Sequence, residues 1–284
     1  MGRRLLALAL LVVSSIAMAG DGRKAMRENI EASMLVSGTI HVDPQGHVER
    51  YVIDQDGALP EPVARLLAQA IPDWRFEPTL HDGAPAFVET SMRVRVAATR
   101  QSEDAVAFRI SGASFGGWDN AEDQLADDRE TRRNNPPRYP REALRRGAMA
   151  TVYLLARVGL DGNTQEVIAE QVNLRYLGSE RVLDEFREDF AKASIRAARE
   201  WTFAVPGDVD TDKGYWSVRV PVEFTIDDFE TPGYGEWDSY IPGPRQSAWW
   251  DDEGASRGGD SYVSGGIYPV GGGLKLLTPL EGNG

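Results

Sequence analysis

The chain of 284 residues contains no cysteine, which removes thiol nucleophiles, disulfides and cysteine-ligated zinc from consideration. Histidine is scarce: His41, His47 and His81 are the only three, and none stands at a metal-ligand spacing such as His-x3-His. Surplus positive charge is also missing. With 31 Lys and Arg against 44 Asp and Glu, the formal net charge is −13. Nucleic-acid affinity needs clustered cations on phosphates, so no nucleic-acid partner is expected. No apolar run reaches the roughly 20 residues that cross a bilayer.

The longest such run, Leu5 to Val13, follows Arg3 and Arg4 and leads through Ser14, Ser15 and Ile16 into Ala17-Met18-Ala19. A basic start, a short apolar stretch and a small-x-small site describe a cleavable export signal over residues 1–19. The expected localisation is therefore the periplasm, with inner-membrane anchoring as the alternative if the segment is retained. Loss of the two arginines shifts the formal charge from −13 to −15.

What is present is hydrophobic periodicity. Val36 to Val42 and His47 to Ile53 read as strands joined at Pro44-Gln45-Gly46. Pro60 and Pro62 open a helix whose stripe is Val63, Leu66, Leu67, Ala70, Ile71 and Trp74, and Pro72 should end or kink it. Val88 to Val96 alternates as a further strand, and having no proline it reads as an available sheet edge. The same order then recurs. Val152 to Val158 alternates, Asp161-Gly162 turns it into Glu166 to Asn173, and a helix carries Leu183, Phe186, Phe190, Ala197 and Trp201 on one face. The last strand places Trp216, Val218, Val220, Val222 and Phe224 on one face, with Pro221 inside it. Proline donates nothing to a ladder, so this strand is expected at a sheet edge.

The fold class read from this order is α+β: two small ββαβ domains, each an antiparallel sheet packed on one helix. The expected boundaries are 23–97 and 136–228, with a linker over 98–135 and an irregular Gly/Pro/acidic tail over 229–284. Within the linker, Ala105 to Ile110 suggests an extra strand, Gly112 to Gly117 a flexible loop and Asp119 to Arg133 a charged stretch. Within the tail, Leu274 to Leu277 is the apolar piece suited to docking, and Trp249-Trp250 suits an anchor for a partner or for the chain's own domains.

Catalytic readings find little support. Gly112-Ala113-Ser114-Phe115-Gly116 matches the G-x-S-x-G elbow, but the mechanism wants a histidine downstream and all three lie upstream of Ser114. An exported serine hydrolase using Ser114 is an alternative reading. The expectation is no enzyme, no cofactor and no metal, with Trp74 and Trp201 as core residues.

The motifs that carry a family resemblance are Arg133-Asn134-Asn135-Pro136-Pro137-Arg138-Tyr139-Pro140, then Ala143-Leu144, Gly147, Asp161-Gly162, the helix ending at Trp201 and the final alternating strand. In this arrangement residues 136–226 resemble the TonB C-terminal domain family, and residues 36–97, with Trp74-Arg75-Phe76-Glu77-Pro78, resemble the same domain without its Tyr-Pro entry. The resemblance implies binding of extended segments of outer-membrane receptors or other envelope proteins by strand addition, possible links to TonB-dependent transport, and a partner-binding set of Arg138, Tyr139, Ser217, Arg219, Glu223 and Thr225. The chain departs from the family in having no histidine before His41 and no Pro-rich spacer, so coupling to the proton motive force is not implied; a membrane-anchored transducer is the alternative. Another is that the edges are filled in cis by Leu274 to Leu277 or by the other domain. N-terminal sequencing of the exported protein is expected to begin near Gly20, and a start at Met1 would favour the anchored alternative.

Overall fold

A computed structural model describes residues 30–102, 105–116, 134–205, 213–226, 229, 232–251, 262 and 266–280. The export signal and the charged stretch Asp119–Arg133 lie outside them. The chain is α+β with antiparallel sheets.

The first sheet is built on β1 (Glu31–Val42) and β5 (Val88–Arg100), paired along twelve positions from Glu31↔Thr99 to Val42↔Val88. Met34, Val36, Ile40 and Val42 of β1 and Met92, Val94 and Val96 of β5 fall on alternate positions and are buried. Their face takes α1 (Glu61–Ala70), which inserts Val63 and Leu67. Pro72 stops α1 as expected: the chain tightens into a 3-10 turn over Ile71–Asp73 and delivers Trp74 and Phe76 into the same core. β2 (Val48–Ile53) pairs with the C-terminal half of β1. A small hairpin of β3 (Leu80–His81) and β4 (Ala84–Pro85) precedes β5.

Three expectations are corrected here. The strand over Val88 to Val96 is not an edge from Ser91 onward, because β6 (Val106–Phe115) pairs with its other side from Met92↔Phe115 to Arg100↔Val106 and the Gly116 amide donates to Ser91 O. The stretch from Gly112 to Phe115, read as a flexible loop, is part of β6. Its glycine and serine are poor strand formers in isolation; the ladder offered by β5 overrides that preference. Nor does β1 begin at Val36, since its pairing starts at Glu31.

The second sheet has the order β11-β9-β7-β8. β7 (Met149–Gly159) is central, between β8 (Thr164–Arg175) and β9 (Tyr215–Phe224). Before it, Pro140 leads into the short helix α2 (Arg141–Arg145). α3 (Glu180–Ala198) lays Leu183, Phe186 and Phe190 on the face formed by Val152, Leu154, Val218 and Phe224. Trp74 and Trp201 are both buried in their respective cores.

The two units share more than element order. In each, the last strand pairs with the first and the first with the second. Gly46 (φ +85°) and Gly162 (φ +79°) occupy the same turn position, donating to Asp43 O and Gly159 O at 3.0 and 2.9 Å. Each glycine carbonyl then accepts an amide at 2.8 Å, from Phe76 and Phe203 respectively. The turn is thereby tied to the aromatic residue two positions after each buried tryptophan.

The tail is more ordered than its composition suggests. β10 (Asp238–Tyr240) pairs with Glu31–Ser33 of β1. The next residue, Ile241, exchanges two backbone hydrogen bonds with Leu174 at the end of β8, of 2.8 and 3.0 Å. Adjacent residues thus belong to different sheets. Around this crossing the Tyr240 hydroxyl donates to Glu31 Oε1 at 2.8 Å, and Arg175 pairs with Asp238 at 2.6 Å. Ala248 and Trp250 cover Leu155 on the face of the second sheet opposite α3. β11 (Tyr268–Pro269) lies on β9. Leu274 then enters the first core, and Lys275 and Leu277 bond the backbone of Glu77 and Arg75. Docking of Leu274 to Leu277 is as expected from its composition.

Gly46→Ala and Gly162→Ala are each expected to destabilise the protein by about 1–3 kcal/mol, because left-handed backbone is strained for alanine. A Cβ at these positions would also stand 2.0 Å from Phe76 O and 2.4 Å from Phe203 O. The denaturant midpoint of each variant measures this, and two unchanged midpoints would show that the turns carry no such constraint.

Candidate functional site

The last strand of the second unit, β9, has an outer side that the described residues cover only in part. On its inner side it pairs with β7 over ten positions, from Ala150↔Phe224 to Gly159↔Tyr215. On its outer side β11 covers Tyr268↔Arg219 and Pro269↔Val218, and the Val270 amide donates to Ser217 O at 2.8 Å. That last bond fixes the polarity of the whole rail, because successive residues of a strand turn their main-chain groups to opposite sides. Ser217, Arg219, Pro221 and Glu223 face outward, while Val218, Val220 and Val222 face β7.

Pro221 therefore sits where the ladder of β11 would need its next donor and finds none. The expected edge strand is therefore corrected for Ser217 to Arg219, which β11 and Val270 cover, and is kept only from Pro221 onward, where the proline turns its missing N–H to the outside. Beyond it, the outward groups are Pro221 C=O, Glu223 N–H and C=O, and Thr225 N–H.

The six residues singled out from the sequence divide accordingly. Ser217 has its carbonyl engaged by the tail. Arg219 is buried, not exposed as a contact residue on an open strand would be: Nε and Nη2 donate to Glu170 at 2.9 and 3.0 Å, and Nη2 also donates to Asp251 at 2.8 Å. Burial by itself pulls the Arg219 guanidinium down, but the hydrogen bonds and charge of Glu170, with Asp251, outweigh it and hold the group above its ordinary range. Glu170 reaches this position because the β7–β8 ladder slips between Tyr153↔Gln171 and Leu154↔Ala169, leaving it as the extra residue of a bulge. Glu223 pairs with Arg175 at 3.1 Å. Tyr139 packs its ring edge-on to Phe190 and Phe224, and its hydroxyl donates to Ala148 O at 2.8 Å; burial raises its pKa. Only Arg138 and Thr225 are exposed.

Through Tyr139 and Phe224 the entry loop is held next to the end of β9 beyond Pro221, on whose outer side no described strand pairs. Arg138 also lines an open groove of about 930 Å³ between that loop and α3, with Arg141, Lys192 and Arg196 among its walls.

Other candidates are dispersed. Ser114 lies within β6 opposite Arg93, not on a strand-to-helix elbow, and its buried hydroxyl has no hydrogen-bond partner. His41 takes a bond from Arg50 and approaches Glu89 at 3.4 Å, His47 is 3.2 Å from Asp43, and His81 is 3.6 Å from Asp82. Among the described residues no three metal-type side chains cluster. Trp250 is buried, while Trp249 is exposed beside Arg157.

The sequence reading missed Tyr268, Pro269 and Val270. A usable signal was present: Ile267-Tyr268-Pro269-Val270 is an apolar, strand-prone run set between Gly265-Gly266 and Gly271-Gly272-Gly273.

Comparison with known proteins agrees with this geometry at the level of one domain. A stretch of 92 residues is 33% identical to Protein TonB from two strains of Xanthomonas campestris pv. campestris. It covers 32% of this chain and 35% of those proteins, so the chain spans about a third of the length of the curated relatives it matches. No family model matches the chain, and no solved structure matches it significantly. The similarity points to a TonB-like domain. Among the described residues no helix is long and apolar enough to cross a membrane.

Arg219→Ala is expected to cost about 3–5 kcal/mol, because it strands two buried carboxylates. Chemical denaturation measures the loss. A neutral outcome would mean that Arg219 is free for a partner after all.

Proposed function

We propose that this chain is a non-enzymatic envelope protein of TonB type, exported to the periplasm, that binds extended polypeptide by strand addition at the outer rail of β9. The observation that carries the reading is that this rail already receives an extended segment in that mode: Tyr268–Val270 of the chain's own tail. The similarity to TonB and the outward-facing Pro221 support it. The partner class is an extended segment of an outer-membrane receptor or another envelope protein, which links the protein to TonB-dependent transport. The matched strand order and matched glycine turns of the two units support their origin as tandem copies of one domain. In the first copy β6 occupies the corresponding rail, so binding belongs to the second.

Titration of isotope-labelled protein with extended receptor peptides is expected to move the amides of Val222 to Thr225 and of the loop around Arg138. Shifts confined to other strands, or none at saturating peptide, would refute strand addition at this edge.

A further inference from the structure

The tail segment on β9 has the features of a ligand more than those of a sheet strand. It is short, and glycines bracket it on both sides. Gly271 and Gly273 adopt left-handed backbone at φ +81° and +78°, so the chain turns away directly after Val270. Its neighbours are anchored independently: Ala248 and Trp250 on Leu155 before it, and Leu274 to Leu277 on the first sheet after it. The segment between these anchors adds only Ile267 and Val270, both partly buried, to the margins of the second unit's apolar clusters.

Each of its side chains is read by a different surface. Ile267 rests against the core beneath α3. Tyr268 points to the opposite side and is buried, stacked on Tyr262 at 4.3 Å with an interplanar angle of 27°, and its hydroxyl accepts from Arg93 Nη1 at 3.2 Å. Pro269 lies opposite Val218, whose main-chain groups face β7, so its missing N–H costs no bond to the rail. Val270 contributes the amide that reaches Ser217 O, and its side chain meets the Leu155 and Trp250 cluster.

We infer that Ile267–Val270 is the chain's internal copy of the ligand taken by β9: a partner's extended segment in the order aliphatic, aromatic, proline, β-branched, admitted when the tail segment lifts from the rail. This rests on the strand-addition reading. A tethered occupant competes at an effective concentration in the millimolar range. The apparent affinity for an external segment is therefore reduced by the fraction of molecules with an open rail.

The test uses the full chain and a fluorescent peptide copying residues 266–272, with a scrambled peptide and one carrying alanine for the tyrosine. Val270→Pro removes the amide that donates to Ser217 O, and Tyr268→Ser removes the ring. Both variants are expected to bind the copied peptide at least about tenfold more tightly than the unaltered chain, and to bind the other two peptides at least about tenfold more weakly than the copy. Equal binding of copy and scramble, or no binding by variants with unaltered circular dichroism, overturns the inference. A concentration-dependent dimer that takes up no peptide overturns it in favour of tail exchange between copies.

Should either variant fail to fold, Ser217→Cys in an otherwise unaltered chain gives an independent answer, since no native thiol interferes. A peptide with cysteine in place of its valine is expected to form a disulfide there, and a scrambled cysteine peptide is not; equal yields overturn the inference. If receptor peptides still move Val222 to Thr225 while the copied peptide fails, only the ligand class falls. If both fail, strand addition falls with it.

Discussion

A strand at the rim of a sheet carries a row of main-chain donors and acceptors, and each of them needs water, another strand or a partner. Much of this molecule is arranged by how that requirement is met. The first sheet meets much of it internally. β5 is bonded on both sides, and the far side of β1 is divided between β2 at one end and β10 at the other. The second sheet meets it with the tail, which joins β8 through Ile241, crosses the face opposite α3, and runs along β9 through Tyr268. The described parts of the tail thus follow the rims they cover. Where β11 stops on β9 is set by one residue, because a ladder extending past Arg219 meets Pro221 and has no donor to continue on.

The elements that were legible in the sequence are those whose stability comes from their own periodicity. The alternation in β1, β7 and β9, the stripes of α1 and α3, and the turns at Gly46 and Gly162 all follow from spacing of two, spacing of three and four, and positive φ. β6 was only half legible, because Gly112 and Ser114 contradict a strand until β5 presents a ladder for them. β10 and β11 were not legible as strands. They have three and two residues, and what orders them is the edge they meet.

The site was legible to a similar degree. That β9 is an edge followed from Pro221, and that the loop at Tyr139 stands beside it is held in place by the Phe224 and Phe190 contacts. The fate of Arg219 was not accessible. On an alternating strand an arginine between Val218 and Val220 reads as solvent-facing, and its partners Glu170 and Asp251 stand 49 and 32 residues away. Nothing in local spacing pairs them. One of them, moreover, reaches the cluster only because of a bulge in β8.

That buried cluster is better understood as a device for register than as a source of net stability. Two or three charges removed from water gain little overall when they are paired, and lose much when one is left alone. A slip of β9 by a single residue against β7 would carry every side chain to the opposite face. Arg219 would then point among Phe186, Phe190 and Trp201, and Glu170 and Asp251 would be left buried without their cation. The apolar face alone penalises such a slip, but the charges penalise it further, and they do so at the residue that pairs with Tyr268. The alignment of β9 with β7 and the alignment of the tail with β9 are therefore held by the same guanidinium. For the strand addition proposed above, such fixed main-chain groups would lower the ordering cost on the protein's side.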